Sequence, residues 1–508
     1  MKHSICLLND SFPPIIDGVS NAVVNYAREI ENAGDNVIVA TPDHPDADDS
    51  AYPFPVIRYP SIDTRELVGY MAGIPFSPAL VTRLREERTE LLHSHCPVSS
   101  TLLARELRQN LDIPIVFTYH TKFDIDIANA VRLKYIQREL IDAIVWNVSA
   151  CDEVWVVSRG AGENLRSIGF TGDYTVMENG VDVPRERSSE EAVRAATASY
   201  DLPEGIPVYL FVGRLMWYKG LRVILDALKL RKDAGASFRM VFIGGGGDEE
   251  EVRTYTEELG LNDCVLFTGP IRDRDVLRAW YTRADLFLFP STFDTNGLVV
   301  REAAASSLAS VLVRGSCAAE DVTDGVNGFL IEQNAESLAA TLEELITQPG
   351  KARTVGEQAA RDLYLSWHDA VKRAEDRYGA VIENYRAGIT DRVKPHGKDA
   401  FAMPASLMES LAEAEERRRT VHEKIEAFEE NVRKHRNDYR ADADQRRQDF
   451  VRVWNGRLDE LYRLLNETLD DAAETLNDRI DRIDEDFSER IGGGFDASIE
   501  RMRKILKL

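Results

Sequence analysis

The sequence has no apolar run of about 18 residues, so no segment reads as a transmembrane helix. Its first residues, MKHSICLLND, lack the layout of a cleaved signal and read as a first buried strand. Cysteine is scarce: Cys6, Cys96, Cys151, Cys264 and Cys317 are scattered, odd in number and mostly set in apolar stretches. That fits reduced thiols in a cytoplasmic protein better than a disulfide framework. Basic residues are also short, with 62 Lys and Arg against 86 Asp and Glu and a net charge of −24. General nucleic-acid binding needs clustered cations to displace counterions, so no nucleic-acid partner is expected. From Asp391 onward 23 basic face 28 acidic residues, a net of −5, which leaves −19 on the first 390. An acidic body still admits a local basic patch of the kind that holds phosphates or lipid headgroups.

What is present is an alternation. SICLLN, NVIVAT, IPIVFTYH, EVWVVS and YTVMEN are short apolar runs followed by turn signals, and NAVVNYAREIENAG is an amphipathic helix ended by glycine. The alternation restarts with PVYLFVGR, FRMVFIGGGG, CVLFTG, DLFLFPS and ASVLVRG. Continuous apolar strands alternating with helices imply parallel sheets covered on both faces, and two such runs imply two doubly wound, Rossmann-like α/β domains. The seam falls in the polar stretch 183–205, which divides residues 1–185 from 186–365.

Residues 400–491 differ. Between Val421 and Ile491 there is no proline and one glycine, Gly456. Apolar positions there recur about every 3.7 residues, above the heptad value and near an eleven-residue repeat. This predicts a long helix, coiled coil or helical hairpin whose seam needs a partner, either a second copy or its own enzyme. A triple glycine at 492–494 ends it. The tail 495–508 spaces Phe495, Ile499, Met502 and Leu506 helically and carries Arg501, Arg503, Lys504 and Lys507. It is an expected interfacial membrane segment, or simply a basic helix end.

Several strands are followed by loops that can carry chemistry, and open parallel sheets bind ligands at those ends. VGRLMWYKG offers Arg214 and Lys219 at a helix entrance, a good anion site. IGGGGDEEE, beginning at Gly244 and Gly245, lets backbone amides approach a ligand or merely makes a flexible turn. In SFPPIIDGVSNAV, Gly18 stands just before a helix start, where amides can face a phosphate or a sugar. FTYHTKFD ends a strand with His120, and a lone histidine there is commonly structural. HSHC, with His93, His95 and Cys96, has some look of a metal site, but no further ligand set of usable spacing follows. In PSTFDTNGLVVREAAA, Asp294 and Glu302 are separated by seven residues, with Gly297 between. A structural reading has Asp294 capping a helix and Glu302 facing water.

Together these stretches resemble the retaining glycosyltransferases of family 4, which have the two-domain GT-B architecture. The resemblance spans residues 1 to about 388 and rests chiefly on GRLMWYKG and PSTFDTNGLVVREA, with GFTGDYTVMENGVDV and LSWHDAVKRAEDRYGAVIENY in support. The family signature is an acid, seven residues, then a glutamate, with glycine three positions after the first acid. Asp294, Gly297 and Glu302 occupy those places, with aspartate where glutamate is usual. The pairing of TYHTKFD with TFDTNGLVV is similar to members that glycosylate diacylglycerol or related lipids.

The resemblance implies that Glu302 accepts hydrogen bonds from the ribose hydroxyls of a nucleotide and that Asp294 holds the donor sugar. It places amides near Gly297 and Leu298 by the diphosphate. Arg214 and Lys219 would stabilise the leaving diphosphate without a metal, and His120 would contact the sugar or the acceptor across the cleft. Residues 366–388 would cross back to complete the N-terminal, acceptor domain. The expected activity is transfer of glucose from UDP-glucose, a co-substrate rather than a cofactor, to a hydroxyl acceptor such as a membrane lipid. The enzyme is expected to be a homodimer through its C-terminal helix, with peripheral membrane contact. Alternatives are a soluble or protein acceptor, and a coiled-coil assembly protein that binds nucleotide sugar without turnover.

Overall fold

The computed structural model describes residues 2–389, apart from 16, 66–69, 131–133 and 349, together with Lys424 and Ala427. The long helical region expected over 400–491 and the basic tail 495–508 lie outside these described residues.

The first sheet is built from β1 (Ser4–Leu8), β2 (Asn36–Pro42), β3 (Val56–Tyr59), β6 (Leu91–Ser94), β7 (Ile115–Tyr119), β8 (Glu153–Val156) and β9 (Thr175–Val176). Two short strands, β4 (Ser61–Asp63) and β5 (Met71–Gly73), form a separate antiparallel pair. The seven strands are ordered β3-β2-β1-β6-β7-β8-β9 and pair in parallel. β1 and β7 are buried along their whole length, as central strands covered on both faces must be. One face is filled around Leu92, Leu103, Phe117 and Val156. The other is filled around Ile5, Val23, Tyr26 and Trp155.

That second face also takes the last described helix, Trp367–Arg386. Ser366 caps it, accepting a hydrogen bond from Asp369 N at 3.0 Å. Its apolar stripe of Trp367, Ala370, Val371, Ala374, Tyr378, Val381 and Ile382 joins the core made by helix Gly18–Ala33. Tyr378 stacks on Trp155 at 5.2 Å, and Arg377 makes a two-pronged contact with Glu153. The chain thus returns to the first sheet after completing the second.

The second sheet comprises β10 (Val208–Val212), β11 (Arg239–Ile243), β12 (Val265–Gly269), β13 (Leu286–Phe289), β14 (Ser310–Val313) and β15 (Phe329–Ile331). Its order is β12-β11-β10-β13-β14-β15, again parallel. The polar stretch between the domains is more than a tether. It contains helix Glu190–Thr197, capped by Ser189, which packs beside helix Arg274–Arg283. Ser188 N donates to Thr282 Oγ1 at 2.9 Å, and Tyr200 meets Trp280 edge to face. Among the described residues no helix is long and apolar enough to cross a membrane.

In both sheets the strand order reverses once: between β1 and β6, and between β10 and β13. At such a point the two neighbouring loops leave in opposite directions and open a crevice beyond the strand ends. Loops 213–220 and 290–297 flank the second crevice. Loops 9–17 and 95–98 flank the first, and His120 lies at the end of the next strand along.

Candidate active site

The loops after β10 and β13 meet backbone to backbone. Gly220 has φ +81° and ends the turn Trp217–Lys219; a Cβ there would lie 2.3 Å from the Pro290 carbonyl oxygen. Only glycine permits both that dihedral and that approach. Tyr218 and Phe293 add a ring contact at 4.5 Å. This packing carries Lys219 to Asp294, whose Oδ1 accepts from the Lys219 ammonium. The other carboxylate oxygen accepts from Ser291 Oγ at 2.5 Å. Lys219 is only 8% exposed. An ammonium carries three donors, so pairing with Asp294 leaves two for a ligand. Arg214, five positions earlier, is exposed and donates to Tyr218 Oη at 2.8 Å.

Asp294 is therefore not a helix cap. Helix Leu298–Ala305 begins after Gly297, which has φ +63° and supplies no side-chain cap. A Cβ on Gly297 would lie 2.8 Å from Ala318 Cβ. The first amides of this helix, from Leu298 on, lack a side-chain partner at the cap, which is the condition under which a helix N-terminus receives an anion.

Glu302, on the second turn, does not face water. It is 7% exposed and accepts from Tyr281 Oη at 2.9 Å, with Arg274 Nη2 at 3.2 Å from its other oxygen. Burial raises its pKa above the usual carboxylate range, and Arg274 and Tyr281 partly offset that. Each oxygen keeps a lone pair for a further donor. The structural reading of this acid pair, a cap and a solvated side chain, is thus excluded at both positions.

Gly244 and Gly246 have a packing reason of their own. A Cβ on Gly244 would lie 2.0 Å from Gly213 O, and one on Gly246 would lie 2.4 Å from Leu215 O. Gly245 accepts from Leu215 N at 2.9 Å. The glycine run lets the loops after β10 and β11 lie against each other, and so supports Arg214 and Lys219 from behind. Gly18 opens helix Gly18–Ala33, but Asp17 already accepts from Val19 N and Ser20 N at 2.8 and 2.7 Å.

His120 comes to this site from the first sheet. Its carbonyl accepts from Thr295 Oγ1 at 2.6 Å, next to Asp294. Asn296 donates to Val157 O at 2.5 Å, and Lys122 Nζ to Thr292 O at 3.3 Å. Glu320 reaches the N-terminus of helix Arg159–Ser167, accepting from Arg159 N at 2.7 Å and from Gly160 N. The strand ends of the two sheets therefore face one another across a shared cleft.

His120 is not the isolated histidine that its sequence suggests. Its Nε2 lies 3.0 Å from His95 Nδ1. His93, whose spacing to His95 suggested metal ligation, has both ring nitrogens engaged, by Tyr378 Oη at 2.5 Å and Thr118 Oγ1 at 2.7 Å. Sequence reading also missed Ser291, Tyr281, Arg274, Thr295 and Glu320. Ser291 and Thr295 stand inside the PSTFDTNG stretch but carry no charge to single them out, while Tyr281, Arg274 and Glu320 lie in no motif and only the folded chain brings them to the site.

Comparisons with known proteins bear on the fold and the family. The description "Glycosyltransferase Family 4" matches residues 16–185, and "Glycosyl transferases group 1" matches residues 194–362. The chain belongs to the family 4 glycosyltransferases and has their GT-B fold. It is 26% identical over 383 residues to the sulfoquinovosyl transferase SQD2 of Arabidopsis thaliana, covering 73% of this chain and 72% of that one. It is 24% identical over 395 residues to an alpha-monoglucosyldiacylglycerol synthase of Streptococcus pneumoniae, covering 75% and 86%. Among solved structures, sucrose-phosphate synthase from Thermosynechococcus elongatus superposes with a TM-score of 0.61 at 20% identity, over 75% of this chain and all of that one. Anabaena HepE in complex with UDP and glucose superposes at 0.59 and 18% identity, over 74% of this chain and all of the other.

The glycosyltransferase carries a pH signature. Burial drives His120 down to about 3 and, with neighbouring imidazoles, drives His93 and His95 well below the imidazole range. An unfolded histidine binds its proton near about pH 6.5. Between there and about 3 the unfolded chain holds protons that folded His120 refuses. Stability is therefore lost as pH falls through that window, by at most roughly 1.4 kcal/mol per pH unit for each such histidine. Glu302 and Asp10, raised by burial, act with the opposite sign. We expect a lower urea midpoint at about pH 5 than at about pH 7, and a smaller difference in His120→Asn. Because Glu302 and Asp10 are common to both chains, an equal pH dependence in the native chain and in His120→Asn would contradict the buried neutral cluster.

Proposed function

We propose that the enzyme moves glucose from UDP-glucose, with retention of anomeric configuration, to the hydroxyl of a lipid acceptor such as diacylglycerol. The observation that carries the donor half is the meeting of Lys219, Asp294 and the open amides after Gly297 at the strand-order reversal of the second sheet. The diphosphate lies at the start of helix Leu298–Ala305, with Lys219 and Arg214 on the charge that builds as the anomeric carbon–oxygen bond breaks. Those cations supply the stabilisation that a metal would otherwise give. Glu302 receives the ribose hydroxyls, and Asp294 receives the sugar hydroxyls while it orients Lys219. The acceptor oxygen bonds to the anomeric carbon on the face the diphosphate leaves, and its proton passes to a leaving phosphate oxygen. HepE bound to UDP and glucose, and the similarity to lipid glycosyltransferases, support the donor and acceptor assignments respectively.

Lys219→Ala should lower donor turnover by about a hundredfold or more, corresponding to roughly 3 kcal/mol, the cost of one preorganised donor at a developing anion. Asp294→Asn should lower kcat with UDP affinity nearly unchanged, and Glu302→Gln should weaken UDP binding itself. Calorimetry and coupled UDP release measure all three. Near-normal turnover in Lys219→Ala, or a folded chain that binds UDP yet releases none from UDP-glucose, would refute the transfer reading.

The proposal extends to assembly. The apolar seam between Val421 and Ile491 pairs two copies, and their two basic tails hold the enzyme at an anionic cytoplasmic membrane face. Light scattering and liposome co-sedimentation should show a dimer that pellets with anionic vesicles for the full chain, and neither property for a chain ending at residue 398. Identical behaviour of the two chains would contradict both parts.

A further inference from the structure

The buried pair His95 and His120 does more than pack. Both rings are neutral at ordinary pH because burial disfavours their cations. Each therefore carries one N–H and one lone pair, and the 3.0 Å contact joins an N–H on one ring to a lone pair on the other. Two arrangements satisfy it. In one, His120 Nε2 donates to His95, which places the His95 proton on Nε2. In the other, His95 Nδ1 donates, and His120 carries its proton on Nδ1.

The rest of the cluster separates them. His95 Nε2 is buried and has no hydrogen-bond partner. The first arrangement buries an unpaired N–H there, whereas the second leaves only a lone pair. Orphaned buried N–H groups are the rarer and costlier defect. The Tyr26 ring lies 5.3 Å from that of His95, but its hydroxyl is itself without a partner and so meets neither nitrogen. His93 cannot intervene, since Tyr378 and Thr118 occupy both its nitrogens. His120 is meanwhile held at the cleft by the Thr295 bond to its carbonyl.

We infer that His95 is a positioning residue: by donating from Nδ1 to His120 Nε2 it makes His120 Nδ1 an N–H donor to the cleft. In that form His120 cannot act as a general base through Nδ1. It offers a hydrogen bond to an oxygen of the bound sugar or acceptor, and it has only one orientation in which to do so. The kinetic consequence rests on the transfer reading above; the tautomer does not.

The experiment has two arms. Long-range proton–nitrogen NMR on ligand-free protein labelled at its histidines, with His120→Asn to assign the signal, reads which nitrogen carries the proton. The expected result is a protonated Nδ1 and a bare Nε2 on His120; a protonated Nε2 overturns the inference whatever the enzyme proves to transfer. In the kinetic arm, His95→Leu should lower kcat for UDP-glucose turnover by on the order of 10–100-fold, the usual cost of losing a group that orients an imidazole. The donor KM should stay within about threefold, since binding is not what is lost. His95→Asn, which keeps an N–H near the Nδ1 position, should recover most of the loss. Equal impairment of the two variants, or none in either, overturns the positioning role. Absence of turnover in the unmodified chain would sink the transfer reading and leave the NMR arm to decide the tautomer.

Discussion

The structure depends on one topological constraint: each parallel sheet reverses its strand order once. In the second sheet the reversal separates β10 from β13, so the two loops beyond them have nothing between them but each other. Gly220 lets those loops touch through the Pro290 carbonyl, and that contact sets the reach of Lys219 to Asp294. A side chain at 220 would push the loops apart and with them the cation and the acid. The glycines at 244 and 246 repeat the device one strand further out, seating the loop after β11 against residues 213–215.

The first sheet contributes through the same geometry. Its own strand ends carry His95 and His120 to the cleft, and the bond from Thr295 to the His120 carbonyl ties the acid loop of one domain to the other. Glu320, set on the end of helix Arg159–Ser167, is a second tie of the same kind, since a carboxylate is favoured where helix amides are free. The return of helix Trp367–Arg386 onto the first sheet joins the two domains at the other end. The cleft is thus bounded by contacts that a ligand can reinforce or replace.

Much of this was legible in the sequence, for physical reasons. Fully buried parallel strands read as unbroken apolar runs, and SICLL and VYLFV occur as such at β1 and β10. The spacing of Asp294, Gly297 and Glu302 could be read because it lies within one loop and one helix. The alternative of a cap and a solvated acid could not be dismissed from sequence, because it turns on Lys219, 75 positions away. His120 looked solitary because its partner, His95, lies 25 positions earlier, just past the end of the neighbouring strand. Tyr281 and Arg274 escaped notice because they lie on helix Arg274–Arg283, which presents no motif and reaches Glu302 only through packing.

The central claim is that the crevice between β10 and β13 is the donor site. Hydrogen–deuterium exchange with and without UDP-glucose tests it directly, because a bound diphosphate must engage backbone amides there. The account predicts slowed exchange concentrated in residues 213–220 and 294–300, with little change at residues 9–18. Protection confined to the loops of the first sheet, or none at saturating ligand, would contradict it.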